Sequence, residues 1–232
     1  MLLPKIWFII KHNILIRGCH QHFKVPFMKL NRNIGLIVLA AGASLRYGAP
    51  KQLLSFNGET FLRRIVRESV SSVCQPIVTV FGADALILSR HVNEFAIHTI
   101  QNEDWKKGMG TSISVGIKKL LEIDKGVAGA VITVCDQPFV TNGVINGLVQ
   151  NFNETQPLIV ASRYAETLGV PALFSRRLFS DLRALKNSGG AKELVKRFSA
   201  ETVTIDFSKG ATDIDTPEDF HRLKTNWLNV DE

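Results

Sequence analysis

The chain has 232 residues, is 45% hydrophobic and carries a formal charge of +7, which is enough apolar mass to bury a sizeable core in one globular domain. No stretch is long and apolar enough to span a membrane. The excess charge is local, because Lys5, Lys11, Arg17, Lys24, Lys29 and Arg32 occur with no acid among the first 32 residues and the remaining bases nearly balance the 21 acids; that distribution argues against a general nucleic-acid surface.

In chain order, residues 1–31 read as an extension outside the fold, with Met28 as the functional start, and residues 32–232 as a single domain. The apolar run Trp7-Phe8-Ile9-Ile10 is cut by Lys11 and His12, which makes a poor signal peptide. Cys19-His20-Gln21-His22 lacks the paired spacing of a zinc site. With only Cys74 and Cys135 besides Cys19, the expectation is reduced thiols in a cytoplasmic protein.

The domain opens on an informative stretch. Ile37, Val38 and Leu39 form a short apolar run suited to a strand covered on both faces. A loop of small residues and cations follows, in which Gly42 and Gly48 let a ligand approach the backbone and Arg46 and Lys51 supply positive charge for phosphate oxygens. Two familiar glycine loops fail on spacing. A Walker loop needs Gly-Lys-Ser/Thr at the helix start, but Ala49-Pro50 separates Gly48 from Lys51. Gly42-Ala43-Ser44 lacks the second glycine of a dinucleotide fingerprint.

Beyond the loop, Thr60 caps a helix whose Phe61, Leu62, Ile65, Val66 and Val70 recur at helical spacing. Ile77 to Gly82 reads as a second strand, Asp84 as the cap of a short helix through Arg90, and Ala96 to Ile100 as a third strand. This alternation predicts an α/β domain with a mainly parallel sheet and ligands at the carboxyl ends of the strands. Asn102 to Gly116 is a polar loop with two glycines leading into an amphipathic helix; Thr111, Ser112 and backbone N–H groups at that helix start suit the reading of carbonyl and amine edges. Trp105 taken alone reads as core. Ala130 to Cys135 is a buried strand ending in Asp136, where one carboxylate can join magnesium to a triphosphate held by the glycine loop. Thr141 caps a helix from Val144 to Phe152, and Pro217 stands in the first turn of a last helix. Just before it, Asp215 reads equally as a second metal ligand or, with Thr216, as a helix cap.

Leu39-Ala40-Ala41-Gly42 with Ser44, Arg46, Gly48 and Lys51 resembles the signature of the nucleotidyltransferases acting on molybdenum cofactor, the cytidylyltransferases and guanylyltransferase-like NTP transferases. Asn102, Trp105, Gly108-Met109, Ser112 and Gly116 resemble that family's second motif, Cys135-Asp136-Gln137-Pro138 its metal motif, and Gly169, Pro171 and Leu173-Phe174 its acceptor element. The stretch Lys186 to Lys192 is similar to a further family loop, but Asn187 and Ser188 depart from its Gly and Asp. The resemblance implies a three-layer, Rossmann-like nucleotidyltransferase fold. It implies a nucleotide site of Leu39, Ala40, Ala41, Gly42, Ser44, Arg46, Gly48, Lys51, Gly82, Asn102, Gly110 and Ser112. Arg46, Lys51 and Asp136 would be catalytic, Asp136 and Asp215 would hold Mg2+, and Gly169, Pro171 and Phe174 would lie on the acceptor side.

The activity implied is transfer of CMP from CTP to the phosphate of molybdopterin, with release of pyrophosphate; Ala41 in place of a second Gly points to CTP over GTP. A phosphate with a second pKa near ~6 is largely ionised at neutral pH and needs little help from a base, so charge neutralisation is the larger task. Two alternatives stand beside this: a nucleotidyltransferase for another small phosphate such as a sugar phosphate, and a noncatalytic maturation factor that carries cofactor to a molybdenum hydroxylase. Neither nucleic acid nor a membrane is an expected partner.

Overall fold

The computed structural model describes residues 32–42, 47, 49–185, 190–214 and 216–228, with side chains through 225; the expected extension, Ser44, Arg46, Gly48, the stretch from Lys186 to Gly189 and Asp215 lie outside the described residues. The strand predicted at Ile37 is β1 (Ile34–Ala40), buried along its whole length. Parallel neighbours flank it on both sides, β4 (Ile77–Phe81) and β6 (Gly129–Val134), with Val38 opposite both Thr79 and Thr133. Outside β4 lies β5 (His98–Gln101), also parallel but mostly exposed. It begins two residues later than expected, because Ala96 and Ile97 precede the ladder.

Beyond β6 the order continues through β8 (Thr167–Ser175), β7 (Ile159–Tyr164) and β9 (Thr202–Asp206), so the seven-stranded sheet runs β5-β4-β1-β6-β8-β7-β9. Strand β8 is antiparallel to both β6 and β7, while β9 is parallel to β7. The mainly parallel α/β expectation holds, with this one reversed strand inside it. A small hairpin of β2 (Ser55–Phe56) and β3 (Glu59–Thr60) stands apart from the sheet.

Side chains alternate across β1, as strand geometry demands. Ile34, Leu36, Val38 and Ala40 enter one core, with α1 (Phe61–Val70), α4 (Asn142–Thr155) and α7 (Pro217–Leu228) supplying Phe61, Leu62, Ile145, Leu148, Phe152 and Leu223. Ile37 and Leu39 enter the second, against Ile113, Ile117 and Leu120 of α3 (Met109–Ile123), Leu182 of α5 (Phe179–Ala184) and Leu194 of α6 (Gly190–Arg197). Gly116 permits the close approach of α3, since a Cβ there would lie 2.7 Å from Ile37 Cγ2. The three layers are therefore helices, sheet, helices.

Two predicted caps are present. The Thr60 hydroxyl accepts from Arg63 N and the Thr141 hydroxyl from Val144 N, satisfying helix-end donors. Asp84 precedes α2 (Ala85–Arg90) in a left-handed conformation and makes no side-chain cap there. At α7 the cap is Thr216: Asp219 N donates to its hydroxyl at 3.2 Å, and Thr216 N donates to Asp219 Oδ2 at 2.9 Å, a reciprocal capping box.

Candidate active site

The carboxyl ends of β1, β4 and β6 open into a cleft of about 330 Å³. Leu39, Ala40, Ala41 and Gly42, four of the residues expected to bind nucleotide, line its floor. What shapes that floor is a residue the sequence reading did not single out. Gln52, in the helical turn Lys51–Leu53, is 3% exposed and donates through Nε2 to Ala40 O at 3.3 Å and Gly42 O at 2.7 Å. An amide buried this deeply has to be bonded, and here its bonds bend the chain leaving β1.

Strand pairing brings the expected cation and acid together. Leu39 is opposite Val134, and Cys135 N donates to Leu39 O at 3.2 Å, so Asp136 emerges beside the end of β1. Its main chain is held by Ile214 N, which donates to Asp136 O at 3.2 Å. Lys51 Nζ lies 2.6 Å from Asp136 Oδ2, with the two side chains 17% and 25% exposed. A charge-assisted contact this short is among the stronger polar interactions available to a side chain.

The opposite wall comes from the turn after β5 and the start of α3. Gly82 follows β4 where a Cβ would lie 2.4 Å from Ala41 O and 2.7 Å from Trp105 Cβ, so only glycine lets the loop after β1 and the indole close on each other. Trp105 lines the cleft with Met109 and Ser112, a more exposed position than its core reading. Asn102 is 1% exposed; its N donates to Phe81 O at 2.7 Å and its Nδ2 to Thr111 Oγ1 and Ser112 Oγ, both at 2.9 Å. Its Oδ1 accepts from Asp104 N. Asn102 is thus the brace that aims Ser112 at the cleft. Gly110 faces away from it, against Leu185, whose carbonyl oxygen would be 2.9 Å from a Cβ.

Cys135 lines the cleft as well. Burial pushes its thiol far up and the Asp136 carboxylate adds to this, against the opposing effect of Lys51. A thiol held protonated is a poor nucleophile, which agrees with a reaction that needs no covalent intermediate on the protein.

On the other side of Asp136, β7 and β8 form a hairpin whose tip is at the same end of the sheet. Tyr164 is half-buried there and donates to Val170 O at 3.2 Å. Burial raises its phenol pKa; a hydrogen bond with Gln137 lowers it, and the Asp213 and Asp136 carboxylates raise it further, which sets these four residues in one neighbourhood. Gly169 admits the ring, since a Cβ would meet Tyr164 Oη at 2.2 Å. Pro171 is buried next along β8, and its carbonyl accepts from Ser162 Oγ at 2.6 Å. Phe174 requires a correction. It is fully buried in the core beneath α3, α5 and α6 and pairs with Ala130, roughly 20 Å down the strand from Asp136 at the usual rise. It supports the sheet and is out of reach of an acceptor.

Residues 36–203 match the family described as the MobA-like NTP transferase domain. The chain belongs to that family. This MobA-like domain is 29% identical over 200 residues to the purine catabolism protein PucB of Bacillus subtilis, covering 81% of the chain and 94% of that protein. It is 24% identical to the molybdenum cofactor cytidylyltransferase of Escherichia coli, covering 85% and 98%. Among solved structures, Rv0371c of Mycobacterium tuberculosis superposes with a TM-score of 0.72 at 26% identity, over 83% of this chain and 98% of that one. A structure of Rv0371c in complex with manganese superposes at 0.66, with 24% identity and coverage of 82% and 97%.

A divalent ion suits the Asp136 end of the MobA-like cleft, because that carboxylate already holds a cation, the Lys51 ammonium, at 2.6 Å. Among the described residues no group of three or more His, Cys, Asp or Glu could hold a metal unaided. An ion on Asp136 would therefore complete its shell with phosphate oxygens and water, the habit of magnesium.

Proposed function

We propose that this protein transfers CMP from CTP to the phosphate of molybdopterin and releases pyrophosphate. The observation that carries the reading is the Lys51–Asp136 pair at the mouth of a cleft floored by Leu39, Ala40, Ala41 and Gly42, within a MobA-like domain. In this reading the acceptor phosphate oxygen forms a bond to the α-phosphorus of CTP as the bond to the bridging oxygen breaks, and the electron pair leaves with pyrophosphate. Magnesium on Asp136, with Asp215 as its second candidate ligand, would supply positive charge to the phosphates. Lys51 and Arg46 neutralise the triphosphate and the leaving group. Ser112, aimed by Asn102, and the wall of Trp105 and Met109 orient the nucleoside, while Gly169, Pro171 and Tyr164 border the acceptor.

The choice of CTP draws support from Ala41 in the cleft floor and from the Escherichia coli cytidylyltransferase, which the chain covers almost completely. A second reading, a noncatalytic carrier of cofactor to a molybdenum hydroxylase, draws support from the likeness to PucB, a purine catabolism protein. Pyrophosphate release in the presence of Mg2+ and molybdenum cofactor separates them, with CTP replaced in turn by GTP, ATP and UTP. The expected outcome is release with CTP at least about tenfold faster than with the others. Cofactor binding without release from any nucleotide would establish the carrier, and a preference for GTP would overturn the cytidine assignment.

A further inference from the structure

Helix α1 is bound to both segments that bring charge to the cleft, although none of the residues lining the cleft belongs to it. At its start Phe61 N donates to Leu54 O at 3.1 Å, and Leu54 N donates to Lys51 O at 3.1 Å, which ties α1 to the turn carrying Lys51 and Gln52. One turn further on, Arg64 Nε donates at 2.7 Å to the carbonyl of Pro138, two residues beyond Asp136. Glu68 Oε2 then accepts from Asn142 N at 2.8 Å and Asn142 Nδ2 at 2.9 Å, at the first residue of α4. The loop that presents Asp136 therefore runs from β6 to α4 with α1 bound to its middle and its end. The inference that follows rests on the nucleotidyltransferase reading and concerns what holds that site in shape. We propose that Arg64 is a positioning residue, which sets the place of the Asp136 carboxylate relative to the cleft floor by anchoring the Pro138 carbonyl to α1.

The three arginines of α1 are used differently. Arg63 pairs with Glu94, and Arg67 pairs with Glu59 and Glu68. Arg64 pairs with no acid among the described residues and gives its Nε to a main-chain carbonyl instead. A hydrogen bond from a charged donor is stronger than one between neutral groups, and placed on the carbonyl of a loop it restrains backbone. Glu68 serves the same end from deeper in the fold. It is 6% exposed, and a carboxylate buried that far is costly unless its oxygens are bonded. One oxygen takes Arg67 and the other takes both nitrogens of Asn142, so Glu68 is a fixed post for the start of α4. The seam between these helices continues where Val73 N donates to Asn146 Oδ1 at 2.9 Å. From the opposite side, Ile214 N donates to Asp136 O and Gln137 Nε2 donates to Gly210 O at 3.0 Å. Asp136 is thus held from two sides, and the ties to α1 lead back to the turn that carries Lys51. A misplacement of ~1 Å can slow a reaction about a hundredfold, which a strut common to both charged segments prevents.

The test uses full-length wild type, Arg64→Met and Arg64→Gln. Met removes the donor and keeps an unbranched stem, whereas Gln keeps an N–H donor the same number of bonds from the helix and removes the charge. CTP binding is measured by calorimetry with and without Mg2+, and turnover by pyrophosphate release in the presence of molybdenum cofactor. Arg64→Met should bind CTP without metal within about twofold of wild type, lose most of the tightening that Mg2+ brings, and turn over about ten- to a hundredfold more slowly. Arg64→Gln should recover most of both losses. Equal weakening of CTP with and without Mg2+ makes Arg64 a merely stabilising residue and overturns the proposal. A Gln variant no better than Met also overturns it, because charge and not the anchor would then be what counts. Should Arg64→Met not fold, Arg64→Ala is held to the same comparison. Wild-type protein that releases pyrophosphate while Arg64→Met does so equally fast removes the positioning role alone. Wild-type protein that neither binds nor turns over any nucleotide removes the nucleotidyltransferase reading and the positioning role with it.

Discussion

Gln52 lies beneath the loop that follows β1, and its amide gives Ala40 O and Gly42 O a common donor. The floor of the cleft therefore has a set shape before any ligand arrives. Gln52→Met keeps length and volume but leaves both carbonyls without that donor. At about 1 kcal/mol net per neutral hydrogen bond, the loss of two should weaken CTP binding by roughly tenfold or more, measured by calorimetry in Mg2+, and an unchanged dissociation constant would show that the loop keeps its shape without Gln52. Lys51 and Asp136 stand out in the sequence because a cation in a loop of small residues and an acid at the end of an apolar strand are visible without knowing what lies opposite. Gln52 does not, since a buried amide declares itself only through the carbonyls that the fold brings to it, and beside Lys51 it looks like any other polar loop residue. Phe174 was misplaced for the converse reason. An apolar residue following Pro171 and Leu173 looks the same whether it lines a cleft or fills a core, and only the pairing of β8 with Ala130 decides between them.

The β7–β8 hairpin turns through Ala165 and Glu166, both exposed and both at positive φ, 44° and 57°. Two consecutive left-handed residues make the type I′ turn preferred in two-residue hairpins, yet each non-glycine residue there is strained by its Cβ. Replacing the pair by Asn-Gly should stabilise the protein by about 1 kcal/mol, a rise in melting temperature of roughly 2–4 °C for a chain of this size, with CTP affinity unchanged. A lower melting temperature would mean that the Ala165 and Glu166 side chains make contacts worth more than the strain. This hairpin was also the element least legible in the sequence. Its turn lacks the Asn-Gly or Asp-Gly signal, and β8 is buried on both faces like its parallel neighbours, so hydrophobic pattern gave no hint of direction. The helices were easier to place, because Thr60 and Thr141 mark their starts chemically and apolar spacing marks their inner faces.

Among the described residues, contacts with the domain begin just before β1. Arg32 donates to Gln156 Oε1 at 2.8 Å and Gln75 N donates to Ile34 O at 2.8 Å, so contacts with the domain are established from residue 32 onward. We propose that residues 1–27 are dispensable for the domain, and a chain beginning at Met28 should melt within about 2 °C of the full-length protein and bind CTP equally well, as thermal unfolding with and without nucleotide would show; a large loss of stability would place the earlier residues inside the fold. At this scale the sequence was informative, because alternation of strand and helix patterns gives the layers directly, whereas the reversed strand depended on pairings between distant segments. That reversal has an evolutionary corollary. The loop after β1 is tied down by Gln52, by the Lys51–Asp136 pair and by the close approach of Gly82 to Ala41, so a longer loop there would disturb the cleft itself. The other half ends in a two-residue tip that can lengthen into solvent while every strand stays in register. In the proposed reaction, insertions at residues 165 and 166 would thus give descendants of this architecture an easy path to new acceptors that leaves the Lys51–Asp136 half of the cleft unaltered.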